Sequence, residues 1–276
     1  MNPLALILVF ASSLLHAGWN LLIKTSDERF LTAWGQFVMG GLLFVPVLLA
    51  VGVPGTSALP YLVASSVVHV GYIGALVRAY HHGDFSLAYP LARGGGALVA
   101  AVGGVVFLSD ELSGLEWLAI AIIVGGLASL VRPGASRVAL LWAGLTAACI
   151  GTYTTLDIEG ARKSSGFGYG SALIIGAAIA LSIAGCAAGR GPAFARALRR
   201  NWPRYSFGGV LTTTAYSMVL AAGRLAPAGY VASLRESSVV IAALAGWVLL
   251  HERLGRARLA SAAVIATGLV LLVVWA

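Results

Sequence analysis

Charged residues are scarce in this chain. Only 10% of its 276 residues are Asp, Glu, Lys or Arg, whereas 59% are apolar, and the mean hydropathy is +0.91. A soluble domain has about 25% charged and about 45–50% apolar residues, so this chain cannot cover itself with a polar surface. The scarcity of charge excludes a soluble enzyme. It also excludes intrinsic disorder, which needs many charges and few apolar residues.

Cysteine is scarce as well. Cys149 and Cys186 are the only two, and both lie inside apolar runs. Their spacing fits neither a metal site nor a disulfide framework. The sequence also lacks a zinc-binding His-Glu-x-x-His pattern and the clustered acids that bind magnesium and diphosphate. We therefore expect no metal and no cofactor, and we expect that the protein is not an enzyme.

Glycine, in contrast, is abundant, with 35 residues. Its usual share is about 7%, and here it shows no three-residue period of the collagen type. Glycine inside apolar segments is typical of membrane helices, because small residues let helix backbones approach closely. The composition indicates a polytopic protein of the inner or plasma membrane, with the lipid bilayer as its surroundings.

The apolar residues form runs of membrane-spanning length. A helix needs roughly 20 apolar residues to cross the hydrocarbon layer of about 30 Å. Ten such runs and their short connections take up nearly the whole chain, so we predict an all-α fold with ten transmembrane helices. The predicted spans are Pro3–Ile23, Phe30–Val51, Leu59–Tyr80, Phe85–Leu108, Leu115–Val131, Val138–Leu156, Tyr169–Ala188, Tyr205–Arg224, Ala228–Leu250 and Arg256–Trp275.

The net charge of +8 is spread over the connections between these runs. No soluble domain carries a basic patch, so we expect no nucleic-acid partner. When the residues within three positions of a span end are counted with the adjacent connection, 13 of the 18 Lys and Arg residues lie in the odd connections, 3 in the even ones and 2 within spans. The longest basic connection is Arg190–Arg204. Because positive loops stay inside, the odd connections are predicted to face the cytoplasm and both termini to lie outside.

Local signals mark the ends of some spans. Ser113 and Glu116 have the spacing of a capping box, which predicts the start of the fifth span. In the fourth span, Pro90 precedes the run Gly94–Gly96. A proline inside a helix frees a backbone carbonyl and kinks the axis, so this segment is either a discontinuous helix beside a cavity or an ordinary membrane helix that tolerates proline and glycine.

The two halves of the chain resemble each other. Tyr230 lies 141 residues after Tyr89, and Glu252 lies 141 residues after Glu111. Several apolar residues also have an identical residue 141 positions later. Ten spans in two copies give five spans per copy, and an odd number inverts the second copy in the membrane. We predict two inverted five-helix repeats, residues 1–132 and 138–276. Inverted repeats are common in secondary transporters, which bind substrate near the bilayer midplane at the repeat interface.

Five segments in order carry a family resemblance. The chain resembles the EamA-type drug/metabolite transporter superfamily in His16-Ala-Gly-Trp-Asn-Leu-Leu-Ile-Lys24, Gly83-Asp-Phe-Ser-Leu-Ala-Tyr-Pro-Leu-Ala-Arg93-Gly, Asp110-Glu-Leu, Tyr153-Thr-Thr-Leu-Asp157 and Arg235-Glu-Ser-Ser-Val-Val240. The resemblance implies a ten-helix inverted-repeat fold and translocation of small metabolites or drugs, often as export. It does not imply a particular substrate. Small four-helix relatives have a membrane-embedded glutamate in their first helix, where this chain has His16, so coupling by that glutamate does not carry over.

Two arginines lie inside predicted spans, Arg93 in the fourth and Arg235 in the ninth. A charge at mid-membrane costs at least about 2.5–3.5 kcal/mol, so each should face a cavity or a partner. Two interpretations stay open: snorkelling or an internal salt bridge, and binding of an anionic group. For Arg235 we expect a bridge partner on another helix, such as Asp157, because the adjacent Glu236 points about 100° away. Arg93, with no acidic neighbour in sequence, is the leading anchor for an anion.

Polar and aromatic side chains complete the predicted site. His16, Trp19 and Asn20 share one face of the first span. They line the site, or else Trp19 belongs to an interfacial belt and His16 forms a hydrogen bond to a neighbouring helix. Tyr89 and Tyr230 stand out because they match across the repeat. The predicted substrate-binding residues are Arg93, Arg235, Glu236, His16, Trp19, Asn20, Tyr89, Tyr230, Tyr153 and Asp157.

These features predict a secondary active transporter that exports a small anionic or zwitterionic metabolite by alternating access. The alternative is a proton-coupled exporter of hydrophobic cations or drugs, in which Glu236 and Asp157 meet the substrate. A channel is a weaker alternative. Glu236, Asp157 and His16 are the titratable groups for proton or ion coupling. The sequence leaves the substrate, the coupling ion and the oligomeric state open.

Overall fold

The computed structural model describes residues 2–82, 85–131, 136–241 and 256–275. Helices contain 86% of these residues, and no strand occurs among them. The all-α fold is therefore confirmed. The helices are α1 Pro3–Lys24, α2 Arg29–Leu43, α3 Val45–Val51, α4 Leu59–His82, α5 Phe85–Phe107, α6 Gly114–Ala128, α7 Arg137–Arg162, α8 Gly166–Ala187, α9 Gly191–Gly223, α10 Ala228–Leu234 and α11 Arg256–Trp275.

The length and apolar character of the helices agree with a polytopic membrane protein. Among the described residues, five helices are long and apolar enough to cross a membrane by themselves: α1, α4, α5, α7 and α8. The helices α6 and α11 are apolar but shorter. Outward-facing apolar side chains such as Phe107 and Leu49, 78% and 71% exposed, suit contact with lipid. The count of ten spans stays a prediction.

The second predicted span is two helices rather than one. The helices α2 and α3 meet at Phe44 with a bend of 45°. Pro46 lies in the first turn of α3, where its missing N–H is not needed by the helix. This proline thus lies at the start of a new helix, and only the pair together has the length of a span.

The local start signal of the fifth span is confirmed. Ser113 Oγ accepts a hydrogen bond from the N–H of Glu116 at 3.2 Å, and Glu116 Oε2 accepts one from the N–H of Ser113 at 2.7 Å. The capping box satisfies two N–H groups that the first turn of α6 leaves without helical partners.

The described residues form two compact units, and each takes helices from both halves of the sequence. Unit 1 comprises residues 1–6, 71–155 and 225–276, and unit 2 comprises residues 7–70 and 156–224. The helices α1, α4 and α7 are divided between them. The division of the sequence into repeats 1–132 and 138–276 stays a prediction.

Unit 1 is built on close helix contacts at glycines. Here α5 packs against α6 and α10, and α6 packs against α11. A Cβ atom added to Gly96 would come within 2.5 Å of Ile150 Cγ2, and one added to Gly95 within 2.8 Å of Ala147 Cβ. These glycines therefore bring α5 and α7 into close contact and do not interrupt the helix.

Of the two interpretations left open at Pro90, the structure has a continuous helix that tolerates the proline. Pro90 lies in the second turn of α5, and the helix continues to Phe107. The proline has no N–H for the helical hydrogen bond at its own position, but this loss does not interrupt α5.

Unit 2 packs α2 against α9 and α8, and α8 against α9. Two glycines make the closest approach, because a Cβ on Gly209 would come within 2.5 Å of the backbone nitrogen of Gly40. The Trp34 ring stacks on the Phe194 ring with centroids 4.1 Å apart, and the Trp34 indole N–H donates to the Ser182 hydroxyl at 2.9 Å. The helices of unit 2 are thus held by backbone contact, ring stacking and a side-chain hydrogen bond.

Candidate functional site

A buried ion pair joins Arg93 of α5 to Glu236 in unit 1. Arg93 Nη2 lies 2.8 Å from Glu236 Oε1, and Arg93 Nε donates to Glu236 Oε2 at 3.2 Å. The guanidinium thus meets both carboxylate oxygens, one through the hydrogen bond from Nε and the other through an ion-pair contact. Arg93 is 7% exposed and Glu236 3%. Of the two interpretations left open for the arginines, the structure has an internal salt bridge at Arg93.

The ion pair lies at an interruption of the ninth predicted span. The helix α10 ends at Leu234, and helical backbone resumes at residues 237–241. Around this point the backbone hydrogen bonds join residues three apart instead of the four of an α-helix. The N–H groups of Glu236, Ser238 and Val239 each donate to the carbonyl three residues earlier. Mid-helix bonds of this kind often mark a functional hinge. The ninth predicted span therefore has a tightened turn at Glu236.

Three hydroxyls near this interruption are buried. Tyr230, Ser233 and Ser238 are each 2% exposed or less, and their hydroxyl oxygens find no hydrogen-bond partner within the described ranges. A buried hydroxyl without a hydrogen bond costs about 1–3 kcal/mol, so such groups usually meet water or a ligand. Arg235 is also buried, 8% exposed.

The start of α10 is held by the acidic connection after α5. Asp110 Oδ2 accepts the backbone N–H of Ala228 at 2.6 Å. Gly104 leaves room for this contact, because a Cβ there would lie 2.7 Å from Asp110 Oδ2 and 3.1 Å from Ala228 Cβ. The Asp110 carboxylate thus caps the helix that precedes Glu236.

Asp157 of α7 is the centre of a second polar cluster, in unit 2. Its side chain is fully buried. The phenol of Tyr169 on α8 donates to Oδ1 at 3.3 Å, and that of Tyr216 on α9 donates to Oδ2 at 2.5 Å. Three helices therefore converge on this carboxylate.

The predicted residues of the first span remain on one face of α1. The rings of His16 and Trp19 meet edge to face, with centroids 4.7 Å apart. Asn20 donates its side-chain amide to the His16 carbonyl at 2.9 Å. All three are half-buried. In the predicted repeat, with its spacing of 141 residues, His16 would correspond to Asp157.

The structure distributes the predicted site residues over both units. Arg93, Arg235, Glu236, Tyr153 and Tyr230 belong to unit 1, and the Tyr153 ring meets the Tyr72 ring edge to face at 5.6 Å. His16, Trp19, Asn20 and Asp157 belong to unit 2. The side chain of Tyr89 lies outside the described part. The binding of substrate by these residues stays a prediction.

Sequence reasoning did not find the partners of Asp157. Tyr169 follows Asp157 by 12 residues and Tyr216 follows it by 59, and neither spacing has a local meaning. Their role depends on the packing of α7, α8 and α9. Within the described residues, no three His, Cys, Asp or Glu side chains come together as metal ligands would.

Comparison with solved structures supports the fold. A crystal structure described only as "Crystal structure of protein" aligns with the whole chain and with 98% of its own chain, at a TM-score of 0.76. At 16% sequence identity, the similarity establishes a shared fold alone. Among curated proteins, none matches this chain in sequence.

The sequence itself matches a family. The model of the EamA-like transporter family matches residues 137–274, which is half of the chain. Members of this family are transporters and not enzymes. With its apolar helices, this chain is an integral membrane protein. It belongs to the EamA-like transporter family, whose members move drugs and metabolites.

Proposed function

We propose that this protein is a secondary active transporter of the plasma or inner membrane. It exports a small metabolite of amino-acid size, zwitterionic in preference to simply anionic, by alternating access. One observation carries the proposal: Arg93 and Glu236 form a buried ion pair at the interruption of the ninth span.

The pair supports a zwitterionic substrate on grounds of charge balance. A simple anion bound to Arg93 would leave the Glu236 carboxylate buried without its cation, and breaking a buried pair in this way costs about 3–5 kcal/mol. A zwitterion brings a carboxylate for the guanidinium and an ammonium for the carboxylate. Each charge of the pair is then replaced, and the net charge of the site stays zero.

The surroundings of the pair support a polar ligand. The buried hydroxyls of Tyr230, Ser233 and Ser238 offer hydrogen bonds that the described part of the protein does not use. Discontinuous helices in transporters present such groups to substrates near the midplane. In this proposal the ion pair is closed when the site is empty and open when the substrate is bound. Substrate binding thus shifts the equilibrium between these two states.

The rival function is the export of hydrophobic cations in exchange for protons. The observation that favours it is the buried Asp157 carboxylate between two phenols, because aromatic rings and a carboxylate together suit a lipophilic cation. In this scheme the arginines hold helices together, and Glu236, Asp157 and His16 carry the protons.

Flux into proteoliposomes distinguishes the two functions. Each amino acid tested is accompanied by its N-acetyl derivative, which is anionic, and its methyl ester, which is cationic. We expect saturable exchange of the zwitterion and at least about tenfold less of both derivatives. Arg93→Lys keeps the charge but loses the planar fork, so apparent affinity should fall by roughly 1–3 kcal/mol.

The matched control is Arg78→Lys, since the Arg78 guanidinium lies over the Trp142 ring at 4.8 Å, away from the pair. It should leave affinity unchanged. Transport of methyl esters alone, unaffected by Arg93→Lys in folded protein, would overturn the zwitterion proposal in favour of the cation exporter.

A further inference from the structure

A strongly basic surface lies on the first part of α9, apart from the residues discussed so far. The segment Arg190–Arg204 contains five arginines and no acidic residue. Its helix begins at Gly191, and the backbone is non-helical at Asn201 (φ −122°, ψ 16°), with Pro203 close behind. Arg196, Arg199 and Arg200 therefore occupy a separate helical piece before the break, whereas Arg190 precedes this piece and Arg204 follows the break.

The inner face of this piece is anchored to unit 2. Phe194 is 4% exposed and stacks on Trp34 of α2. Its ring also fills the space beside Gly185 of α8, where any Cβ atom would collide with it. Ala197, one turn later, is buried as well. Because the inner face is held at these points, the direction of the outer face is determined.

The arginines at the two ends of the segment make contacts within the protein. The Arg190 guanidinium lies 4.8 Å from the centre of the Phe30 ring. Arg204 donates to the carbonyl of Leu22 and to the hydroxyl of Thr25. Through these contacts Arg190 and Arg204 have structural roles.

The three central arginines differ from those two. Arg196, Arg199 and Arg200 are exposed, and none of them has an ion pair or a hydrogen bond to any residue that the structure describes. Their spacing of three and four places them on one face of the helix. With Ala195 they border an open depression of the surface.

Exposed aromatic side chains follow the three arginines in the sequence. Trp202 is 57% exposed and Phe207 is 60% exposed. Tryptophan is enriched where the membrane meets water, at the level of the lipid head groups. The three arginines precede Trp202 by two to six residues in the sequence.

We propose that Arg196, Arg199 and Arg200, with Trp202 beside them, bind the head group of an anionic phospholipid. Three like charges within about one turn repel one another, and a phosphate offers oxygens to several guanidinium forks at once. An anionic lipid supplies that phosphate together with net negative charge. A zwitterionic lipid supplies a phosphate whose charge its own ammonium cancels.

Binding of matched lipids tests this proposal. The purified full chain in neutral detergent is titrated with phosphatidylglycerol or with phosphatidylcholine of the same acyl chains, and bound lipid is counted by native mass spectrometry. We expect the wild type to prefer phosphatidylglycerol by at least about tenfold. Replacing Arg196, Arg199 and Arg200 by Gln should weaken its binding by about fivefold per arginine, the equivalent of about 1 kcal/mol each.

The matched control removes the same charge elsewhere. Arg29, Arg137 and Arg224 are exposed and lie outside this segment, so replacing these three by Gln should leave the lipid preference intact. A second variant, with Lys at 196, 199 and 200, keeps the charge that orients the connection in the membrane. It should keep the preference but bind several-fold more weakly, since lysine lacks the planar fork.

Three results would overturn the proposal. The first is unchanged phosphatidylglycerol binding in both the Gln and the Lys variants. The second is equal binding of the two lipids by the wild type. The third is binding of inorganic phosphate or of a short oligonucleotide that depends on the three arginines while lipid binding does not, which would make this a site for a soluble anion.

Discussion

Tyr216 of α9 donates its phenolic hydrogen to Oδ2 of Asp157, a carboxylate that has no exposed surface on α7. Replacing Tyr216 by Phe removes the hydrogen and keeps the ring. Hydrogen bonds to charged groups contribute about 1.5–3 kcal/mol, so we expect the free energy of unfolding to fall by about that amount. Unfolding of the purified protein by titration with sodium dodecyl sulfate measures it.

The control is Tyr61→Phe, because Tyr61 presents its ring to Lys163 and phenylalanine keeps that contact. It should change the free energy of unfolding by less than about 0.5 kcal/mol. An equal effect of the two substitutions would show that the Tyr216 hydroxyl contributes nothing particular.

The crossing of α2 and α9 gives a second prediction. A Cβ on Gly209 meets the backbone of Gly40, which cannot move aside as a flexible side chain would. Gly209→Ala should therefore destabilise unit 2 by about 1–3 kcal/mol, the usual cost of overpacking. Gly144→Ala is the control, since a Cβ at that helical position meets nothing within 4 Å, and alanine there should stabilise the helix by up to about 1 kcal/mol.

The coupling of transport to a proton gradient gives a third prediction. If Glu236 carries the proton, Glu236→Gln should abolish gradient-driven accumulation in proteoliposomes. Exchange of substrate without a gradient should remain measurable, because exchange needs no net proton movement, but at a weaker apparent affinity, because glutamine has no charge to balance the substrate ammonium. Glu159→Gln is the control, since Glu159 forms a half-exposed pair with Lys163. Wild-type accumulation in Glu236→Gln would remove Glu236 from the coupling scheme.

The orientation of the chain in the membrane gives a fourth prediction. The 13-to-3 charge asymmetry of the connections predicts that Arg190–Arg204 is cytoplasmic and that both termini lie outside. Reporter fusions after Arg200 and after Ala276 check it. A cytoplasmic signal from the fusion after Ala276, in an otherwise intact chain, would contradict the prediction.

Features that depend on near neighbours in sequence were predictable. Ser113 and Glu116 are three residues apart, and the capping box needs only that spacing and a helix to follow. The starts of α1, α4 and α5 likewise coincide with the apolar runs of the sequence. In each case the controlling interactions lie within a few residues, or between the chain and lipid.

Features that depend on packing between distant segments were not predictable in detail. Arg93 has no acidic neighbour in sequence, and its partner Glu236 is 143 residues away. The sequence placed both among the candidates because each charge is costly inside a span. It could not pair them, since any buried acid would have balanced the charge equally well. The bend at Phe44 was missed for a similar reason, because α2 and α3 together have the apolar composition of one span.

The composition of unit 1 has a consequence for the synthesis of the protein. Residues 71–155 enter the membrane before residues 225–276 have been made, yet both belong to unit 1. Translation at about 5–20 residues per second places roughly 7–30 seconds between Arg93 and Glu236. During that interval the Glu236 carboxylate does not exist, and the α5 guanidinium must be accommodated by the insertion machinery, by lipid head groups or by water. Completion of the ninth span is therefore the step at which the first half of the chain can reach its final structure.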